Sequence, residues 1–138
     1  MIISRTPFRV SFFGGGTDFS QYYEEHGGAT LCSTINKYCY ISVHELSPLY
    51  RHNLKVAYSR TENVDRIQDI QHPLVREVLL SMDFTKGVEI SHVSDVPGRT
   101  GLGSSSSFTV GLLHALHAFR NERVTAEDLA REAIHVER

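Results

Sequence analysis

Between residues 97 and 107 the chain reads Pro-Gly-Arg-Thr-Gly-Leu-Gly-Ser-Ser-Ser-Ser, and no other stretch constrains the fold as tightly. Residues 87–93 (GVEISHV) before it read as a strand. After it, Phe108, Leu112, Leu116 and Phe119 recur at helical spacing, so the segment opens a buried helix. Gly98, Gly101 and Gly103 let the backbone turn its N–H groups toward one point. The helix N-terminus adds unpaired N–H groups and the positive end of the helix dipole. Ser104, Ser105, Ser106 and Ser107 add hydroxyls that can bond phosphate oxygens or complete a Mg²⁺ shell. This composition makes a phosphate cradle with few cationic side chains. The bland alternative, a flexible Gly/Ser linker, would not sit tightly between a strand and a strongly apolar helix.

Other glycine-rich motifs fail by letter. A Walker A loop needs a Lys before its Ser or Thr, and Gly103-Ser104 has none. The dinucleotide-binding fingerprint needs a third Gly where Ser106 stands. A nucleophile elbow ends in Gly, and Ser107 occupies that position. Composition narrows the rest. A chain of 138 residues suits one modest domain, 1–138, and a formal charge of −2 argues against a dedicated nucleic-acid binder. No apolar run approaches the roughly 20 residues that span a bilayer, and Met1 does not lead into a secretory signal, so we expect a cytoplasmic protein with no membrane partner. Cys32 and Cys39 read as reduced, buried, small hydrophobes, with a disulfide or half a metal site as the alternative. His114 and His117 share a helix face without the partners that a zinc site needs.

Elsewhere the pattern is mixed α and β. Residues 2–13 (IISRTPFRVSFF) read as a strand running into Gly14-Gly15-Gly16. Thr17-Asp18 offers an N-cap for a short helix through Tyr22 and Tyr23, stopped by Gly27-Gly28. Residues 29–46 contain two strand-like stretches with a polar break at Asn36-Lys37, which predicts a hairpin. Residues 54–59 form another strand, and 60–71 fit no pattern. Pro73 opens a helix with Leu74, Val78, Leu79 and Met82 on one face. A last helix starts near Thr125, close to a capping box, and meets no stop signal before Arg138, which reads as a chain cut within a helix.

Pro97–Ser107 resembles the phosphate-binding motif of the GHMP kinase superfamily, the group of galactokinase, homoserine kinase, mevalonate kinase and phosphomevalonate kinase. The stretch Arg5-Thr-Pro-Phe-Arg9-Val-Ser-Phe-Phe-Gly14-Gly-Gly-Thr-Asp18-Phe resembles the first motif of the same family, about eighty residues earlier. Galactokinases carry a Glu-His pair where this chain has Gly15 and Gly16. The Gly-Gly-Gly-Thr-Asp-Phe variant, with Glu25-His26-Gly27-Gly28 nearby, resembles the D-glycero-D-manno-heptose 7-phosphate kinases and their fucokinase-like relatives.

The resemblance implies an α+β domain of the ribosomal protein S5 domain 2-like type, a mixed sheet with helices packed on one face. It implies ATP and Mg²⁺ as cofactors and a small sugar phosphate as substrate, phosphorylated at its anomeric hydroxyl. Pro97, Gly98, Gly101, Leu102, Gly103, Ser104, Ser105 and Ser106 would hold the nucleotide. Arg9, Gly15, Gly16, Thr17 and Asp18 would meet the sugar, although Asp18 also fits a helix N-cap and Arg9 an exposed strand position. Ser105 and Glu137 match the family's Mg²⁺ ligands, and a solvated helix Glu is the alternative for the latter. The family's general base and its second glycine-rich motif would lie beyond Arg138, leaving the chain inactive alone and with a surface open to self-association. A kinase for L-fucose or another sugar, or a non-catalytic nucleotide-binding module, are the rival readings.

Overall fold

The computed structural model describes residues 1–137. Along the chain come β1 (Ile2–Phe13), a 3₁₀ turn (Gly15–Thr17), α1 (Ser20–His26), β2 (Leu31–Glu45), β3 (Leu54–Ala57) and β4 (Thr61–Val64). A second 3₁₀ turn (Ile67–Asp69), α2 (Pro73–Ser81), β5 (Val88–Ser94), α3 (Ser104–Phe119) and α4 (Ala126–Glu137) complete it. The strands form one sheet in the order β1-β2-β5-β3-β4. Only the β3–β5 pairing is parallel, so the sheet is mixed.

Strand alternation decides which face the helices cover. On β2, Cys39, Ile41 and Val43 are buried while Tyr38, Tyr40 and Ser42 between them are not. Phe8, Leu54, Val56, Val88 and Ile90 belong to the same core, and α3 meets it with Phe108, Leu112, Ala115 and Leu116. Helix α3 lies across β1 and β2, with α2 and α4 packed beside it. The other face carries charged pairs beside exposed Ile3 and Val93: Glu89 bonds Lys55 at 2.9 Å and His44 at 3.2 Å, and the Arg5 guanidinium sits 4.7 Å from the Tyr38 ring centre.

Several local expectations change. Residues 29–46 hold not a hairpin but one long strand, β2, which pairs with β1 from Leu31 to Val43 on both sides of the polar break. The polar Asn36-Lys37 break is a bulge: Pro7 faces Tyr38 and Arg9 faces Thr34, so extra β2 residues stand opposite Phe8. Thr17 and Asp18 do not cap α1, because Phe19 is its N-cap and Thr17 belongs to the preceding 3₁₀ turn. Cys39 is buried, and burial pushes its thiol up to about 11, whereas Cys32 is exposed. Residues 60–71 hold β4 and the second turn.

At the end of α3 the structure makes a charged clip. The His117 ring lies 2.8 Å from Glu122 through Nδ1 and 2.8 Å from Glu132, on α4, through Nε2. Burial alone would lower this imidazole's pKa, but its two carboxylate partners outweigh burial and hold it above the usual value. Helix α4 begins with Thr125 Oγ1 accepting the Asp128 N–H at 3.1 Å and donating to the Asp128 carboxylate at 2.6 Å.

Candidate functional site

The glycine–serine segment lies between β5 and α3. Gly103 is the N-cap of α3 in the left-handed region (φ 70°), and no side chain caps the helix. The first intrahelical bond is Ser107 N–H to Gly103 O at 2.9 Å, so the N–H groups of Ser104, Ser105 and Ser106 keep no helical partner. Three contacts tie this turn and the helix it opens to β1. Arg9 N–H donates to Leu102 O at 3.1 Å, Ser107 Oγ donates to Pro7 O at 3.0 Å, and Ser4 Oγ donates to Gly111 O at 2.7 Å. The sequence shows four equivalent serines; the fold turns Ser107 inward as a structural anchor and leaves the other three nearer the surface.

Arg9 belongs to this turn as well. A Cβ at Gly103 would stand 3.2 Å from Cγ, Nε and Cζ of Arg9, so the guanidinium stem lies against the helix N-cap. Arg9, expected among the residues that meet the sugar, thus carries its side chain beside the serine turn. The N-terminal motif itself folds back on residues 28–30. Thr17 Oγ1 donates to Gly14 O at 2.7 Å and accepts the Ala29 N–H at 3.2 Å. Thr17, Asp18, Tyr23, Gly28, Ala29 and Thr30 line an open cavity of about 670 Å³, whose far wall is Ile134 and Glu137 of α4. Gly16 leaves its surroundings empty, since a Cβ there would meet nothing within 4 Å, whereas one at Gly15 would touch Ser11 Oγ at 3.6 Å.

Glu137 joins the two motifs. Its carboxylate faces the cavity that Asp18 lines and accepts a hydrogen bond from Ser106 Oγ at 3.2 Å. Ser105, expected beside Glu137, is exposed, and its carbonyl accepts the Thr109 hydroxyl at 3.0 Å. Consecutive helical residues point about 100° apart, so only one of the two serines can face α4. A hydroxyl and a carboxylate together are hard oxygen donors of the kind Mg²⁺ takes while keeping its remaining positions for water and phosphate.

On the other side of Pro97-Gly98-Arg99 lies a second cavity, of about 740 Å³, lined by Tyr58, Ser59, His72, His92, Ser94 and Asp95 together with that loop. Phe108 of α3 connects its two histidines: His72 stacks on the ring at 4.9 Å and His92 meets it edge-on at 5.0 Å. Burial lowers the pKa of both imidazoles, so both stay neutral. Sequence reading assigned these histidines no role and missed the cavity, because its walls come from the turn after β3, from β5 with the loop behind it, and from the residue before α2.

Residues 70–138 match the family model described as the GHMP kinases N terminal domain. The chain is 26% identical to the D-glycero-alpha-D-manno-heptose 7-phosphate kinase of Campylobacter jejuni, covering 99% of this chain and 43% of that protein. Among solved structures it superposes on a D-glycero-D-manno-heptose 1-phosphate kinase from Bacteriodes thetaiotaomicron with a TM-score of 0.82, at 24% identity, covering 100% of this chain and 48% of that one. It also superposes on the mevalonate kinase of Methanococcus jannaschii with a TM-score of 0.74, at 21% identity, over 99% of this chain and 45% of that one. The chain thus spans less than half the length of the relatives it matches.

Proposed function

The chain belongs to the GHMP kinases, and from that premise we propose that it is the nucleotide-binding half of an ATP-dependent sugar kinase. Its substrate is a heptose 7-phosphate, and the phosphoryl acceptor is the anomeric hydroxyl. The observation that carries this reading is Glu137, which lines the Asp18 cavity and bonds the serine turn through Ser106. A donor phosphate on the turn and an acceptor hydroxyl in the cavity would meet at that carboxylate.

The residues divide the work. The free N–H groups of Ser104, Ser105 and Ser106, at the positive end of α3, bind phosphate oxygens as negative charge builds. Arg9 adds a formal charge on the same side. Pro97, Gly98, Gly101, Leu102 and Gly103 shape the loop, whose far side opens on the 740 Å³ cavity, with room for the nucleoside. Glu137 and Ser106, with Ser105 one residue away, would hold Mg²⁺, which supplies charge neutralisation between the phosphates. Asp18 accepts sugar hydroxyls, and Thr17 holds its loop against Ala29. The empty surroundings of Gly16 suit a sugar longer than a hexose. This chemistry belongs to the cytosol, where ATP is supplied. Phe12, Phe13, Phe19 and Leu31, exposed beside the glycine loop, suit apolar contact with further polypeptide, including a second copy.

The test is ADP release with Mg-ATP and D-glycero-D-manno-heptose 7-phosphate, set against L-fucose, alongside direct measurement of Mg-ATP binding. The reading expects Mg²⁺-dependent nucleotide binding by this chain that Glu137→Gln weakens, and, with the polypeptide that completes the kinase supplied, sugar-dependent turnover that Asp18→Asn lowers by about 100-fold with ATP binding unchanged. Turnover of fucose in preference would move the substrate to a deoxyhexose. Nucleotide binding without turnover of any sugar, even in the completed kinase, would favour a non-catalytic module.

A further inference from the structure

Glu62, on β4, is the only charged residue in the buried class among the described residues, at 8% exposure. Burying a carboxylate is costly unless donors surround it, and here they do. It accepts the Tyr58 hydroxyl at 2.6 Å, the Gln71 N–H at 2.6 Å and the His72 N–H at 3.1 Å. Burial alone would raise its pKa, yet these donors together with Arg60 bring it below the ordinary value, so it stays ionised. The arrangement exceeds what closing a loop requires, because two of its partners, Tyr58 and His72, form walls of the 740 Å³ cavity.

Each of those walls is fixed from several sides. The Tyr58 hydroxyl also accepts Arg60 Nε at 2.6 Å, which sets the direction of its own proton toward Glu62. The His72 ring takes the Tyr58 edge at 4.8 Å and lies on Phe108 at 4.9 Å, while its Nδ1 accepts the Val75 N–H at 3.4 Å. Phe108 is on α3, the helix whose first turn offers the free N–H groups. An aromatic chain therefore runs from Glu62 through Tyr58, His72 and Phe108 to the serine turn.

We propose that Glu62 is a positioning residue for the nucleobase: it holds Tyr58 and His72 as a preformed wall, so that the base binds without first ordering that side of the cavity. The proposal rests on the reading that the 740 Å³ cavity takes the base of ATP. Preorganisation of this kind adds affinity by removing an ordering cost, and it acts only on the part of the ligand that touches the wall. Loss of Glu62 should therefore weaken a nucleotide and spare a bare phosphate chain.

The experiment compares Mg-ATP with Mg-tripolyphosphate by calorimetry in the wild-type chain, Glu62→Gln and Tyr58→Phe, with circular dichroism to show that each is folded. Glu62→Gln keeps the size but places an amide NH₂ against donors. It should weaken Mg-ATP by about tenfold and tripolyphosphate by less than about twofold. Tyr58→Phe keeps the ring and loses one anchor, so a smaller loss of about threefold, again confined to ATP, is expected. It also tests the idea should Glu62→Gln not fold. If both ligands weaken in step, or neither moves while the wild type prefers ATP, Glu62 does not position the base. If the wild type binds ATP no tighter than tripolyphosphate, the cavity is not the base site, and both the reading and the proposal fall.

Discussion

Replacing Gly111 by Ala should destabilise the protein, although helix propensity favours the change. Gly111 lies mid-helix in α3, where Ala gains about 1 kcal/mol of intrinsic preference. Against that, its new Cβ would stand 2.9 Å from Thr6 Oγ1, 3.3 Å from Ser4 Oγ and 3.4 Å from Ile41 Cγ1. Reaching ordinary contact requires α3 and β1 to separate by about 0.5 Å, enough to forfeit roughly a quarter of the dispersion well across that interface. Phe108, Leu112, Ala115 and Leu116 bury their side chains against the same sheet and would feel the retreat. Overpacking of this kind costs about 1–3 kcal/mol, so the net loss after the gain in propensity should be up to about 2 kcal/mol. In urea, with a slope of about 2 kcal/mol/M, the midpoint should fall by up to about 1 M. Thr6→Ala removes the nearest atom, so the double variant should recover most of the loss, with a coupling of about 1 kcal/mol. Ser104, Ser105 and Ser106 ride on α3, so Mg-ATP binding should weaken in the single variant and return in the double. A midpoint for Gly111→Ala at or above wild type, or strict additivity with Thr6→Ala, would refute the packing argument.

Two further outcomes are expected. Gly14 sits at φ +88° with the Ala29 carbonyl oxygen only 1.9 Å from where a Cβ would be, whereas Gly16 has open space. Gly14→Ala, at about 1–2 kcal/mol for the backbone alone, should therefore displace the loop and speed hydrogen exchange at the Thr17 and Ala29 amides. Gly16→Ala should leave both amides as they are, and equal exchange in the two variants would contradict the fitted turn. The His117 clip should make stability depend on pH with a definite sign. Its folded pKa lies above the unfolded 6.5, so its contribution is complete below about pH 6.5 and is lost as pH rises through the folded value. Facing groups are Glu122, Glu132 and, through Glu122, Arg120 at 4.0 Å. His72 and His92, held neutral by burial, act oppositely: they stabilise above about 6.5 and cost stability as pH falls through their lower folded values. Urea midpoints of wild type and His117→Gln should differ more at pH 6 than at pH 8, and a constant difference would show that the clip does not titrate as described.

What the sequence by itself determined is what depends on neighbours along the chain. The order of a strand, a Gly/Ser loop and an apolar helix at residues 87–119 is local information, written in alternation, in glycine and in 3.6-residue spacing. The helix start at Pro73 and the Thr125 cap were legible for the same reason, and two motifs in the right order identified the family. Where a strand was read as a hairpin, at residues 29–46, the missing information lay in the partner: a polar pair ends a strand unless a bulge against β1 absorbs it.

Tertiary structure alone decided which of several equivalent residues acts where. Four serines in a row are alike until the helix rotates one toward Pro7 and another toward Glu137, thirty-one positions later. Arg9 belongs to the first motif along the chain, and only the pairing of β1 lays it against Gly103 of the second. The cavity held by Glu62, Tyr58 and His72 left no local pattern, because its walls come from separate elements and two of the three donors to its carboxylate are backbone N–H groups, which carry no residue signature. Periodicity records which face of an element is buried. It carries no record of what that face meets, and that is where the chemistry of this site is set.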